Sequence, residues 1–91
     1  MTEETNIESP LEFPCEFPVK AMGLATEDFE ALVVEIVRRH VTAPGEDGVR
    51  SRFSLKGKYV SVTVNITATS REQLDAIYQD LSDHDRVVMA L

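Results

Sequence analysis

A chain of 91 residues, 43% of them apolar, holds one small domain with one thin core and leaves little room for a deep catalytic cleft. Its single cysteine, Cys15, rules out a disulfide scaffold, and no run approaches the ~20 apolar residues of a membrane-spanning helix. The net charge of −7 is unevenly spread: residues 1–18 hold five Glu and no Lys or Arg (−5), and the remainder holds nine basic and eleven acidic side chains (−2). Within that remainder, residues 48–69 contain Arg50, Arg52, Lys56 and Lys58 and no acid (+4), so one surface is able to attract an anion. The N-terminus reads Met-Thr-Glu-Glu, without the basic and apolar parts of a secretory signal. With one cysteine, the expected compartment is a reducing cytoplasm.

Residues 1–10 are polar and acidic and are expected to be a disordered lead; residues 11–91 are expected to form a single domain. Leu11-Glu12-Phe13-Pro14 is apolar enough to dock on that domain. Phe17 to Met22 reads as the first strand, with Phe17, Val19 and Ala21 on one face. Pro18 lacks a ladder donor, so this strand is expected to start late or bulge, and Gly23 to end it. A helix follows from an N-cap at Thr26 to about His40, with Phe29, Leu32, Val33, Ile36 and Val37 as its apolar stripe. Acids crowd its first turn and Arg38, Arg39 and His40 its last, as the helix dipole favours.

Thr42 to Gly48, with Pro44-Gly45, reads as a loop. Val49 to Leu55 is the second strand, joined to the third through a two-residue turn at Lys56-Gly57-Lys58. In the third, Val60, Val62, Val64 and Ile66 alternate with Tyr59, Ser61, Thr63, Asn65 and Thr67, the pattern of a half-buried strand. Ser70 with Gln73 forms a capping box for a second helix whose buried stripe is Leu74, Ile77, Tyr78 and Leu81. Val87 to Leu91 reads as the last strand. The order β-α-β-β-α-β, with right-handed crossovers, gives an α+β ferredoxin-like sandwich: a four-stranded antiparallel sheet with both helices on one face. The other face is then open, and the alternation places on it Lys20, Met22, Arg50, Arg52, Ser54, Lys56, Tyr59, Ser61, Thr63, Asn65, Thr67, Arg86, Val88 and Ala90.

The segments Leu11-Glu12-Phe13-Pro14, Lys20-Ala21-Met22-Gly23, Lys56-Gly57-Lys58-Tyr59-Val60-Ser61-Val62 and Asp85 to Leu91 are similar to those of the YbeD-like family of small bacterial proteins of unknown function. The resemblance covers about residues 11–91. It implies a βαββαβ fold similar to ACT regulatory domains, which bind small metabolites, and brings no established reaction or ligand.

The candidate chemistry is sparse. Cys15 has no helix N-terminus or basic cluster beside it in sequence, so it reads as a half-buried packing residue rather than a reactive thiolate. His40 and His84 lie too far from further ligands for a zinc site. Asp80, Asp83, Asp85 and His84 read as a solvated charge run. The Lys56-Gly57-Lys58 turn is no phosphate loop, having neither the glycine spacing nor a following helix. RNA-recognition domains share the topology but stack bases on open-face aromatics, and here only Tyr59 qualifies, so nucleic acid is disfavoured. Acylphosphatases share it too, with an Asn on the third strand, here Asn65, and a phosphate-binding Arg after the first; the segment Gly23-Leu24-Ala25-Thr26 has none.

The expectation is therefore a non-catalytic regulatory or adaptor module, with no cofactor, no metal and no membrane contact. Its partner is a small anionic metabolite or a protein, met by the open face or by the edge beside the second strand. The candidate binding residues are Lys20, Arg50, Arg52, Lys56, Tyr59, Asn65 and Arg86. A monomer or weak homodimer is expected, because the open face is mostly polar. An acylphosphatase-like enzyme and a weak RNA-binding module are the alternatives.

Overall fold

The structure, a computed structural model, describes residues 12–41 and 48–91. The expected lead at residues 1–10, Leu11, and the loop at residues 42–47 lie outside them. The elements are β1 (Cys15–Leu24), α1 (Phe29–Arg38), β2 (Val49–Phe53), β3 (Tyr59–Ala68), α2 (Arg71–Asp83) and β4 (Met89–Ala90). The sheet is antiparallel in the order β2-β3-β1-β4, as the ferredoxin-like reading requires.

The alternation of β3 builds the core directly. Val60, Val62, Val64, Ile66 and Ala68 are buried beneath the helices, opposite Val19 and Ala21 of β1. From α1 come Phe29, Val33, Ile36 and Val37, and from α2 Leu74, Ile77 and Leu81. Among the described residues no polar or charged residue is buried, so the covered face is held by apolar packing. Phe13 and Cys15 pack half-buried against one end of this core, as expected for the leading segment and for Cys15 as a packing residue.

Ser70 caps α2 as expected, its hydroxyl accepting from the Gln73 amide at 3.0 Å. Gln73 does not close the box on Ser70. Its Oε1 accepts from the Thr69 amide at 2.7 Å, and its Nε2 donates to the His40 carbonyl at 2.8 Å, tying the start of α2 to the end of α1. A further tie links His40 Nε2 to Asp80 Oδ2 at 2.7 Å.

Four local expectations are corrected. First, β1 starts at Cys15 and runs through Pro18 and Gly23 to Leu24 without a bulge, in one register with β3. The amide of Lys20 points to β4, bonding the Leu91 carbonyl; by alternation the nitrogen of Pro18 points the same way, where β4 no longer runs alongside. The missing donor therefore leaves the ladder to β3 whole. Gly23 is needed not as a stop but for space: a Cβ there would sit 2.4 Å from the Arg86 carbonyl oxygen and 2.5 Å from the Phe29 ring.

Second, the N-cap position of α1 falls at Asp28, two residues later than Thr26, and the Thr26 and Asp28 side chains bond each other and Arg86 instead of capping the helix. Third, β2 ends at Phe53, and residues 54–58 form a wider turn closed by Gly57 N–H to the Ser54 carbonyl at 2.9 Å, with Gly57 at φ +72°. The register is still the one a two-residue turn would set, with Phe53 opposite Val60. Leu55 swings out and is 98% exposed.

Fourth, β4 is out of phase with expectation. A bend at Val88 follows the burial of Val87, so Ala90 pairs with Ala21 towards the core and Met89 pairs with Met22 on the open face. Val88 and Ala90 thus leave the open face and Met89 and Leu91 join it.

Candidate functional site

The uncovered face is laid out by the registers. Arg50, Thr63 and Lys20 form one cross-strand row over β2, β3 and β1; Arg52, Ser61 and Met22 form the next, ending on Met89 of β4. Adjacent strands stand about 5 Å apart, so Arg50 and Lys20 flank Thr63 at ~10 Å between Cα atoms, within the joint reach of their side chains. On the other side of the Lys20 row, Pro18 and Asn65 make the adjacent row, and Glu16 and Thr67 the one beyond it, where the Thr67 hydroxyl donates to the Glu16 carboxylate at 2.9 Å.

Lys20, Arg50, Arg52, Ser61, Thr63 and Asn65 line a concavity of about 630 Å³, within the size range of small-ligand pockets. No carboxylate lines it, and none of its three cations makes an ion pair among the described residues. Ser61, Thr63 and Asn65 add hydroxyl and amide donors between the charges. An anion placed there meets positive charge from two strands and hydrogen-bond donors from the strand between them.

Next to it lies a smaller concavity of about 140 Å³, lined from the open face by Met22, Arg52 and Tyr59 and from the helix side by Phe53. Leu24, Met89 and Leu91 extend this apolar end across the sheet at 51%, 47% and 64% exposure. The open face is therefore divided, cationic towards β2 and apolar towards β4, where the sequence predicts a mostly polar surface.

Of the seven sequence candidates, the structure brings Lys20, Arg50, Arg52 and Asn65 together. Tyr59 is in the neighbouring concavity, with the Lys58 ammonium over its ring at 5.6 Å. Lys56 stands exposed in the turn and lines neither concavity.

Arg86 is elsewhere. It crosses to the β1–α1 connection, where its guanidinium donates to Asp28 at 2.6 and 3.0 Å and to the Thr26 hydroxyl. The Arg86 bonds foremost, and then the bond that the Thr26 hydroxyl donates to Asp28 at 2.9 Å, hold the Asp28 carboxyl well below the usual carboxylate range, and the pairing with Asp28 raises Arg86. The chain so places an Arg beside the loop after β1, where the sequence showed none. That Arg is already bound to a carboxylate, and Asn65 lies ~17 Å along β3 from the Gly23 level, so Arg86 is not the Arg that meets Asn65; Arg50 and Arg52 are the ones that share a concavity with it.

Sequence reasoning missed Met89, Leu91 and the Arg86–Asp28 pair. The first two were hidden by a run apolar at every position, and the pair spans 58 residues. The sequence pattern marks Tyr78 only as a core residue; its hydroxyl also donates to the Leu91 carbonyl, and partial burial raises its pKa.

Fold and site together define a small ferredoxin-like sandwich with an uncovered sheet face, cationic on the β2 side and apolar on the β4 side. A family model described as "Protein of unknown function (DUF493)" matches residues 8–91. UPF0250 proteins of Neisseria gonorrhoeae and Vibrio parahaemolyticus (VP0718) are each 42% identical over 91 residues, covering all of this chain and 100% and 97% of theirs. One from Pseudomonas paraeruginosa (PSPA7_1111) is 46% identical over 93 residues, with both chains fully covered. The chain belongs to this DUF493, or UPF0250, family of small bacterial proteins, the YbeD-like group that its sequence resembles. The solution structure of protein HP0495 from H. pylori matches with a TM-score of 0.76 at 17% identity, over 100% of this chain and 96% of that one, which shows the fold alone. The family description assigns neither reaction nor ligand, so function is argued from the site.

Proposed function

We propose that this protein is a non-catalytic regulatory or adaptor module of the cytoplasm, similar in architecture to ACT domains, whose uncovered sheet face takes a small anionic metabolite carrying carboxylate or phosphate groups. The observation that carries this reading is the convergence of Lys20, Arg50 and Arg52 on one concavity without a lining acid. The non-catalytic part is supported by what the reactive side chains already do. His40 is paired with Asp80, the Nδ1 of His84 accepts from the Arg86 amide, and Cys15 is half-buried against the core. A single cysteine supports the cytoplasmic setting. The module is a monomer or a weak homodimer.

The test is a titration of the isotope-labelled protein with citrate and with pyrophosphate, followed by amide shifts. Saturable shifts at Lys20, Arg50, Arg52, Ser61 and Thr63, weakened by added salt, are the expected result. A flat response to both anions contradicts the reading. So does steady hydrolysis of benzoyl phosphate by the pure protein, which would favour the enzyme alternative.

A further inference from the structure

Strand β2 is the outer strand on one side of the sheet, and every residue of it is exposed. Its bonding to β3 fixes which backbone groups are spare. The Asn65 amide donates to the Gly48 carbonyl at 2.7 Å and the Ser54 amide donates to the Tyr59 carbonyl at 2.8 Å, so the even-numbered positions of β2 bond inward. The N–H and C=O groups of Val49, Ser51 and Phe53 therefore point outward, and among the described residues no strand lies beyond them. The side chains make two unlike rows. Arg50 and Arg52 stand on the open face, while Val49 and Phe53, at 36% and 62% exposure, stand on the helix side. The Ser51 hydroxyl donates to Glu30 at 3.0 Å, which anchors the strand to α1 and presents its edge already ordered.

We infer that this edge accepts an extended acidic peptide as an added strand, with acidic side chains on the Arg50–Arg52 side alternating with apolar ones against Val49 and Phe53. Added strands take affinity from main-chain hydrogen bonds and specificity from alternate side chains, and this edge offers both. A second copy of the chain fits poorly. Antiparallel pairing of two β2 strands about Ser51 sets Arg50 opposite the other copy's Arg52, twice over on one face, and like charges directly opposite are destabilising. The same two arginines become favourable when the incoming strand is acidic. A purely protective role, in which the arginines only keep the edge from pairing, predicts that no peptide binds. This inference shares Arg50 and Arg52 with the anion site but uses backbone groups that the anion site does not.

The experiment follows amide hydrogen exchange in the full chain with three synthetic capped peptides. These are an alternating Glu-Val hexapeptide, its Lys-Val analogue, and the Glu-Val peptide N-methylated at the residues that would pair. The first should slow exchange at Val49, Ser51 and Phe53 by about tenfold or more at saturation, as main-chain pairing demands, and the other two should leave it unchanged. No slowing with millimolar Glu-Val peptide overturns the inference, as does equal slowing by the methylated peptide. Slowing that depends on protein concentration alone also overturns it, since the occupant is then a second copy. Citrate run in parallel separates the two proposals: shifts at Lys20 and Thr63 without edge protection report on the anion site alone.

Discussion

Strands β2 and β3 belong to one hairpin and share one register, yet β3 buries every second side chain while all five residues of β2 are exposed. The two helices pack over β1 and β3 and leave β2 outside their cover. Side chains on β3 are thus chosen by the core on one face, and those on β2 answer to little in the fold. A strand that carries two arginines, an exposed Phe and a spare backbone edge while contributing nothing buried is available for recognition. The hairpin is divided accordingly: β3 holds the domain together, and the contacts proposed above fall on β2.

Substitutions can break or sharpen that contrast. The largest effect is expected from Phe29→Ala, which empties a fully buried site over β1 and β3 and should cost about 3–5 kcal/mol in urea unfolding. Phe53→Ala on β2 should cost within about 0.5 kcal/mol under the same conditions. Equal losses would mean that β2 is structural after all.

Gly23→Ala comes next. Its Cβ would press on the Arg86 carbonyl oxygen and the Phe29 ring, so a loss of about 1–3 kcal/mol is expected, with shift changes centred on α1. A smaller step, about 1 kcal/mol, is expected for Ser70→Ala, which leaves the Gln73 amide without its cap.

The smallest effect concerns the exposed Arg86–Asp28 pair. Because the Asp28 carboxyl is held below the usual carboxylate range, its stabilisation is present above the range in which an unfolded Asp titrates. It is lost as pH falls through the lower folded value. Asp28→Asn should therefore be slightly less stable than the wild type at neutral pH, the two converging in strong acid. A gap that widens on acidification would mean the pair is not formed.

Much of this was legible in the sequence because local pattern and final environment agree. The valines of β3 alternate without a break, the Ser70 cap needs only Gln73 three residues on, and the hairpin register survives a turn wider than two residues. Legibility failed where the deciding neighbour is distant. Pro18 is harmless only because β4 stops short of it, which nothing in β1 records. The run Val87 to Leu91 is apolar throughout, so its facing was set by the burial of Val87 and the bend at Val88 rather than by alternation. Arg86 lies with it, and its partners Thr26 and Asp28, at the start of α1, are 60 and 58 residues away in sequence. Of the site, Lys20, Arg50, Arg52 and Asn65 were legible because each sits on a strand whose phase was unambiguous.

The division of labour within the hairpin is tested most directly by the double variant Arg50→Ser/Arg52→Ser, measured for unfolding free energy and for citrate and pyrophosphate binding on one preparation. Stability within about 0.5 kcal/mol of wild type, as expected for exposed substitutions, together with loss of the anion-induced shifts at Lys20 and Thr63, is the predicted result. Unchanged anion binding, or a loss of stability on the scale of a core truncation, would contradict it.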